Sequence, residues 1–248
     1  MAKFVLLDTE TTGAGDNDRI IQLGYMVLDG KKVEVYNDLC SAEVPIGYGA
    51  MEVHGITPDM IEGKPECTQT NAFQTLRELN IPENVLIIHN APFDLGMLAK
   101  ENFTSQMRLI DTLRCARHLF EDEEAHRLQY FRYRFGLYKI EQAEADALGI
   151  VVKAHDAIGD VLVLKLFLTE LRKRLQERFE GVNPIDKMVE LTQTPVFYTR
   201  ALKFGKYKGK TLSEIAEADK GYLTWMLGNM DSLDEDMRYS IGRVLGNS

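Results

Sequence analysis

Up to about Arg178, short apolar runs that end in acids, glycine or proline alternate with stretches of helical periodicity. Phe4-Val-Leu-Leu leads into Asp8-Thr9-Glu10, a β-type run with two carboxylates at its end. A spacing of two in an extended chain puts Asp8 and Glu10 on one face. Arg19 to Leu28 and Lys31 to Leu39 flank Asp29-Gly30, a hairpin signal, so three antiparallel strands are expected to open the fold. Asn71 to Leu79 reads as a helix, and Val85-Leu-Ile-Ile88 as a strand buried on both faces. Pro92 suits the first turn of a helix running to about Glu101, which places Asp94 in that turn. Arg108 to Asp111 reads as a strand, followed by a helix through His118, another over Glu141 to Leu148 and a long one over Ala157 to Arg178. Strands alternating with helices after an antiparallel start indicate an α/β domain with a mixed sheet flanked by helices.

Two stretches depart from this rhythm. Tyr130, Phe131, Tyr133 and Phe135 interleave with Arg132 and Arg134, which fits either a half-buried element over the core or a strip contacting nucleic acid. The acidic run Glu121 to Glu124 before it reads as a solvated loop. Gly181-Val-Asn-Pro184 breaks the long helix, giving a first domain over 1–180, a linker over 181–195 and a second, small α+β domain over 196–248. There Arg200, Lys203, Lys206, Lys208 and Lys210 alternate with Phe197, Tyr198, Phe204 and Tyr207, and Leu212 to Ala218 and Tyr222 to Gly228 read as helices. The alternation fits a single-strand backbone and its bases, or an edge hairpin protected by lysines.

Composition narrows the class. The chain has 248 residues, is 45% hydrophobic and carries a net charge of -9, which argues against non-specific coating of DNA but leaves room for a local basic patch and bound cations. No apolar run approaches the roughly 20 residues that span a bilayer. The three cysteines, Cys40, Cys67 and Cys115, fit neither a zinc motif nor a disulfide framework, so reduced thiols in a cytoplasmic protein are expected.

The acids carry the chemistry. Asp8 and Glu10 form either a metal-site pair or the solvated end of a strand. Asp160 falls on the apolar stripe of Ala157, Leu164, Phe167 and Leu171, where a carboxylate is costly unless paired or bound to metal. His155 lies roughly 140° from Asp160 round a continuous helix, so it is expected just before the helix starts. Asp94 is open to a second reading, as an acid favoured by a helix dipole.

Together, Asp8-Thr-Glu10-Thr-Thr-Gly, His89-Asn90-Ala-Pro-Phe-Asp94 and His155-Asp-Ala-Ile-Gly-Asp160 resemble the three motifs of the DEDDh 3′→5′ exonucleases, in their usual order. The resemblance covers about residues 3–175. It implies a ribonuclease H-like sheet flanked by helices, with Asp8, Glu10, Asp94 and Asp160 as ligands of two Mg2+ or Mn2+ ions and His155 as general base. Thr9, Thr11, His54 and Asn90, close to these motifs, and Lys206 and Lys208 in the basic strip are candidate substrate contacts. Two positions depart from the family: Ala14, where a bulky apolar residue is usual, and Gln22, where glutamate is common. Phe204-Gly-Lys-Tyr-Lys-Gly-Lys and Gly221-Tyr-Leu-Thr-Trp225 resemble the carboxy-terminal region of the exodeoxyribonuclease X-like branch, which implies DNA as substrate. The expected activity is hydrolysis from DNA 3′ ends, single-stranded ends preferred, releasing 5′-mononucleotides. The alternatives are an RNA 3′-trimming enzyme and a non-catalytic protein that binds nucleic acid or a partner.

Overall fold

The computed structural model describes residues 2–152 and 155–246. In chain order the elements are β1 (Phe4–Thr11), β2 (Ile20–Asp29), β3 (Lys32–Leu39), α1 (Tyr48–His54), α2 (Pro58–Ile61), α3 (Asn71–Leu79), β4 (Val85–Ile88), α4 (Ala91–Lys100), β5 (Arg108–Asp111), α5 (Thr112–Leu119), α6 (Leu128–Arg134), α7 (Glu141–Leu148), α8 (Ala157–Arg178), α9 (Pro184–Gln193), α10 (Leu212–Ala218), α11 (Lys220–Asn229) and α12 (Glu235–Leu245). They form two compact units, one of residues 1–116 and 123–192, the other of 117–122 and 193–248.

In the first unit five strands make one mixed sheet in the order β3-β2-β1-β4-β5. The opening meander is antiparallel, closed by a tight turn at Gly30 (φ 60°), and β4 and β5 join in parallel. Alternation in β1 divides its side chains between two layers. Val5 and Leu7 join the core built with Ala72, Phe73 and Leu76 of α3 and Met97 and Leu98 of α4. Leu6, Asp8 and Glu10 point to the opposite face. On that face α8 packs against β1 and β2, with Ala157, Leu164, Phe167 and Leu171 all buried.

The aromatic stretch after residue 127 is the half-buried element over the core. Phe131 of α6 is fully buried and stacks on Phe167 with ring centroids 4.5 Å apart. The acidic run before it is tied rather than merely solvated, since Glu123 accepts hydrogen bonds from Tyr130 Oη at 2.7 Å and Arg134 Nε at 3.0 Å.

Residues 184–193, expected as part of a linker, form α9. Pro184 begins this helix, where its fixed φ is favourable and its missing N–H costs nothing. Met188 and Leu191 are buried, and Thr192 Oγ1 accepts from the Asp111 amide at 2.8 Å.

The second unit also differs from its expectation. Among the described residues it contains helices and no strand, so the β component does not form. Gly205 (φ 73°) and Gly209 (φ 90°) curl the lysine-aromatic stretch into turns. Two backbone bonds close the loop, Gly209 N–H to Leu202 O and Leu202 N–H to Lys210 O, both 2.8 Å. Leu212 and Ile215 of α10, Leu223 and Met226 of α11 and Ile241 of α12 share one apolar core.

Candidate active site

Three features of the first unit bring distant acids to one place. Strand β1 presents Asp8 and Glu10 at its carboxyl end. Asp8 pairs in register with Gly24 of β2, and a Cβ at Gly24 would lie 2.8 Å from both Ala157 Cβ and the Ile158 amide. Only glycine allows α8 to begin this close to the sheet, one residue pair away from Asp8. Asp160, one turn into α8, therefore reaches the pair: ligand oxygens of Asp8, Glu10 and Asp160 all lie within 4.8 Å of one another.

Asp94 arrives from the other side of the sheet. It is buried in the first turn of α4, and its Oδ1 accepts from Thr9 Oγ1 at 2.7 Å. The start of α4 is held by Asp111, whose carboxylate accepts the Asn90 amide at 3.1 Å, the Ala91 amide at 3.2 Å and the Leu113 amide at 2.9 Å. Asn90 occupies the left-handed region (φ 75°), which asparagine tolerates, and its side chain is exposed.

The electrostatics are those of anions forced together. Burial, then the charges of Asp94, Asp160 and Glu10, hold the Asp8 carboxyl well above the usual carboxylate range. Burial pushes Asp94 up to about 7 against the Thr9 hydrogen bond, and Asp160 up to about 6 against the nearby charge of His155 and the Gln129 amide. Such a set favours protons or cations. Hard carboxylate oxygens suit Mg2+ and Mn2+, so the residues present fit divalent ions of that class.

His155 lies just before the Asp156 cap of α8, as its spacing predicts, exposed and in the left-handed region (φ 54°). His54, a candidate substrate contact, is buried and serves the backbone instead. The Ile56 amide donates to Nδ1 at 2.9 Å, leaving Nε2–H to donate to Thr11 O at 3.2 Å. Thr9 spends its hydroxyl on Asp94, and Thr11 donates its own to Gly13 O at 2.8 Å. Lys206 and Lys208 belong to the second unit, where Lys206 Nζ donates to Asp219 Oδ2 at 3.1 Å and Lys208 is exposed.

Several positioning residues carry no clear mark in the sequence. Gln129 Nε2 donates to Asp160 Oδ1, and Arg132, paired with Glu141, donates to Gln129 Oε1 at 3.3 Å. Nothing in the sequence singles out Gln129. Gln22 had a signal, as a departure from glutamate. Its Nε2 donates to Asp156 Oδ1 at 2.9 Å and Asn37 Oδ1 at 3.0 Å, and its Oε1 accepts the Ala157 amide at 3.2 Å.

Known proteins share this architecture. Exodeoxyribonuclease 10 of Escherichia coli (strain K12) is 27% identical over 244 residues, covering 98% of this chain and 99% of that protein. A DNA polymerase III subunit epsilon-like protein of Rhodobacter capsulatus is 32% identical over 191 residues, 68% of this chain and 26% of that protein. Among solved structures, exonuclease X in complex with 5′ overhanging duplex DNA matches with a TM-score of 0.51 at 19% identity, over 76% of this chain and 99% of that one. E. coli exonuclease I in complex with a dA16 oligonucleotide matches with a TM-score of 0.52 at 20% identity, over 77% of this chain and 42% of that one. An exodeoxyribonuclease X-like C-terminal model matches residues 202–231, and the exonuclease family model matches residues 5–166. The exonuclease family model thus spans most of the first unit, and the chain belongs to the exonuclease family.

Proposed function

We propose that the chain is a two-metal-ion 3′→5′ exodeoxyribonuclease, which removes 5′-mononucleotides from DNA 3′ ends and prefers single-stranded ends. The observation that carries this reading is the meeting of Asp8, Glu10 and Asp160 within 4.8 Å, with Asp94 anchored beside them through Thr9. The full-length likeness to an exodeoxyribonuclease supports DNA as the substrate.

Asp8, Glu10, Asp94 and Asp160 would hold two Mg2+ or Mn2+ ions, which when bound offset the carboxylates and supply Lewis acidity to the phosphodiester and to the attacking water. Opposite faces of β1 divide the ligand work: Asp8 and Glu10 join Asp160 on the α8 side, while Thr9 orients Asp94 from the α4 side. Gln129 and the Gln22 latch fix Asp160 and the start of α8. His155, exposed next to Asp160, is the general base. One of its ring nitrogens takes the proton of the water whose oxygen attacks phosphorus. The bond from phosphorus to the 3′ oxygen of the penultimate nucleotide breaks and that oxygen takes a proton from solvent water, leaving a new 3′-hydroxyl on the strand and a free 5′-mononucleotide. Asn90, Thr9 and Thr11 border the place where the terminal nucleotide would lie, and Lys206 and Lys208 of the second unit would contact phosphates of the strand. Three buried free cysteines fit a cytoplasmic location.

The test is digestion of DNA and RNA oligonucleotides labelled at either end, with and without chelator. Stepwise shortening from the DNA 3′ end that stops in chelator is expected. Degradation from the 5′ end, or activity untouched by chelator, contradicts the reading, and faster digestion of RNA makes the enzyme an RNA trimmer.

A further inference from the structure

The second unit brings together two stretches that are separate in sequence, the loop 203–210 and helix α11. Gly205 makes the approach possible, because a Cβ there would run into Tyr222 Oη. Tyr207 then meets Tyr222 edge-on, with centroids 5.0 Å apart, and donates its hydroxyl to Asp219 Oδ2 at 2.8 Å. Tyr222 in turn stacks on Trp225, at 5.9 Å and 26° between planes.

The Trp225 end of this aromatic row faces solvent. Trp225 is 51% exposed, whereas Leu223 and Met226 of the same helix are buried in the unit's core. Core packing thus accounts for Leu223 and Met226 and leaves the tryptophan outward. Cations lie at the Tyr207 end of the row: Lys206 Nζ sits 4.8 Å and Lys210 Nζ 5.8 Å from the Tyr207 ring centroid, and Lys203 and Lys208 are exposed on the same loop. No acid occurs between Val196 and Ser213, so Asp219, already engaged by Lys206 and Tyr207, does not neutralise the loop as a whole.

We propose that Trp225, backed by Tyr222 and flanked by Lys203, Lys208 and Lys210, is a stacking platform for single-stranded DNA. An exposed indole takes a base face whatever its identity, and the lysines take phosphates on either side. Paired bases in a duplex keep their faces covered, so the platform selects unpaired strands. The proposal rests on the reading of the chain as a DNA-end nuclease and adds a second grip on the strand, carried by the second unit alone.

The test uses the full chain in excess chelator, where no turnover occurs, so its outcome is independent of whether the acidic cluster cuts. Trp225 is the only tryptophan, and its emission reports directly on the platform. Titration with an oligo-dT strand is expected to change that emission saturably, in step with the anisotropy of a labelled oligo-dT. Stacking is worth about 1–3 kcal/mol per base, so Trp225→Ala should weaken binding by about 5- to 150-fold, while Trp225→Phe stays within a few fold. Replacing Lys203, Lys208 and Lys210 by Gln should lower the salt slope by about 0.7 for each phosphate that is no longer neutralised. Unchanged Trp225 emission at saturation, a Trp225→Ala protein that binds as tightly as the parent, or equal affinity for a duplex of the same length overturns the proposal.

Discussion

The Ala157 amide and the Gln22 side-chain oxygen, from residues 135 apart in the chain, are joined by a hydrogen bond of 3.2 Å that latches the start of α8 to β2. The same Gln22 amide donates to Asp156, so its two ends serve an acceptor and a donor at once. Glutamate at position 22 could accept from Ala157 but would face Asp156 with a second negative charge. Gln22→Glu is therefore expected to lower turnover by about 10- to 100-fold, in the range typical of residues that orient metal ligands. Adding Asp156→Asn, which supplies a donor in place of the acceptor, should restore most of the rate. A double variant no better than the single one would show that the latch does not position the site.

Removing the Asp160 charge separates chemistry from stability. Burial disfavours that carboxylate, so Asp160→Asn should reduce digestion to background while leaving the melting temperature in chelator unchanged or higher. Circular dichroism melts beside a labelled-DNA digest make the comparison. A variant that unfolds, or one that still cuts, contradicts the assignment.

The raised carboxyls fix the sign of a pH dependence. Asp94 at about 7 and Asp160 at about 6 exceed their unfolded values, so between pH 4 and 7 these two groups hold more protons in the folded chain than in the unfolded one. Their contribution makes the metal-free protein less stable as pH rises through that window, and Mg2+ should restore stability most at its upper end. Urea titrations in chelator at several pH values measure the slope, and Asp94→Asn should flatten it. An unchanged slope in that variant contradicts the placement of Asp94.

Gly24 sets how near α8 lies to Asp8. Gly24→Ala puts a methyl group 2.8 Å from Ala157 Cβ and the Ile158 backbone, where nothing flexible can give. Overpacking of this kind costs about 1–3 kcal/mol, and the displaced helix carries Asp160 with it. Stability by urea denaturation and turnover should fall together. Wild-type turnover in Gly24→Ala would show that the approach is not needed.

How far the sequence carried the site depended on which residues had a local pattern. Asp8 and Glu10 were legible from the period of two, and Asp160 from its misfit on an apolar stripe. The core strands β4 and β5 and the helices α3, α7, α8 and α10 begin and end where their periodicity does. Residues serving long-range bonds were not: Asp111 looks like an ordinary strand-end acid until its three amide partners are seen, and Gln129 has no local pattern. Helix α9 was missed because Pro184 stops one helix and starts the next. The edge hairpin that was one of two readings near Lys206 does not form, because Gly205 and Gly209, with their left-handed backbone, turn the chain.

Asp8, Glu10, Asp94 and Asp160 are expected to tolerate one another by sharing two divalent ions. Mn2+ titration followed by electron paramagnetic resonance, on the parent chain and on Asp8→Asn, tests it most directly. Two bound ions in the parent and a loss of at least one in the variant are expected. A parent that binds none, or a variant that binds as the parent does, would contradict the claim.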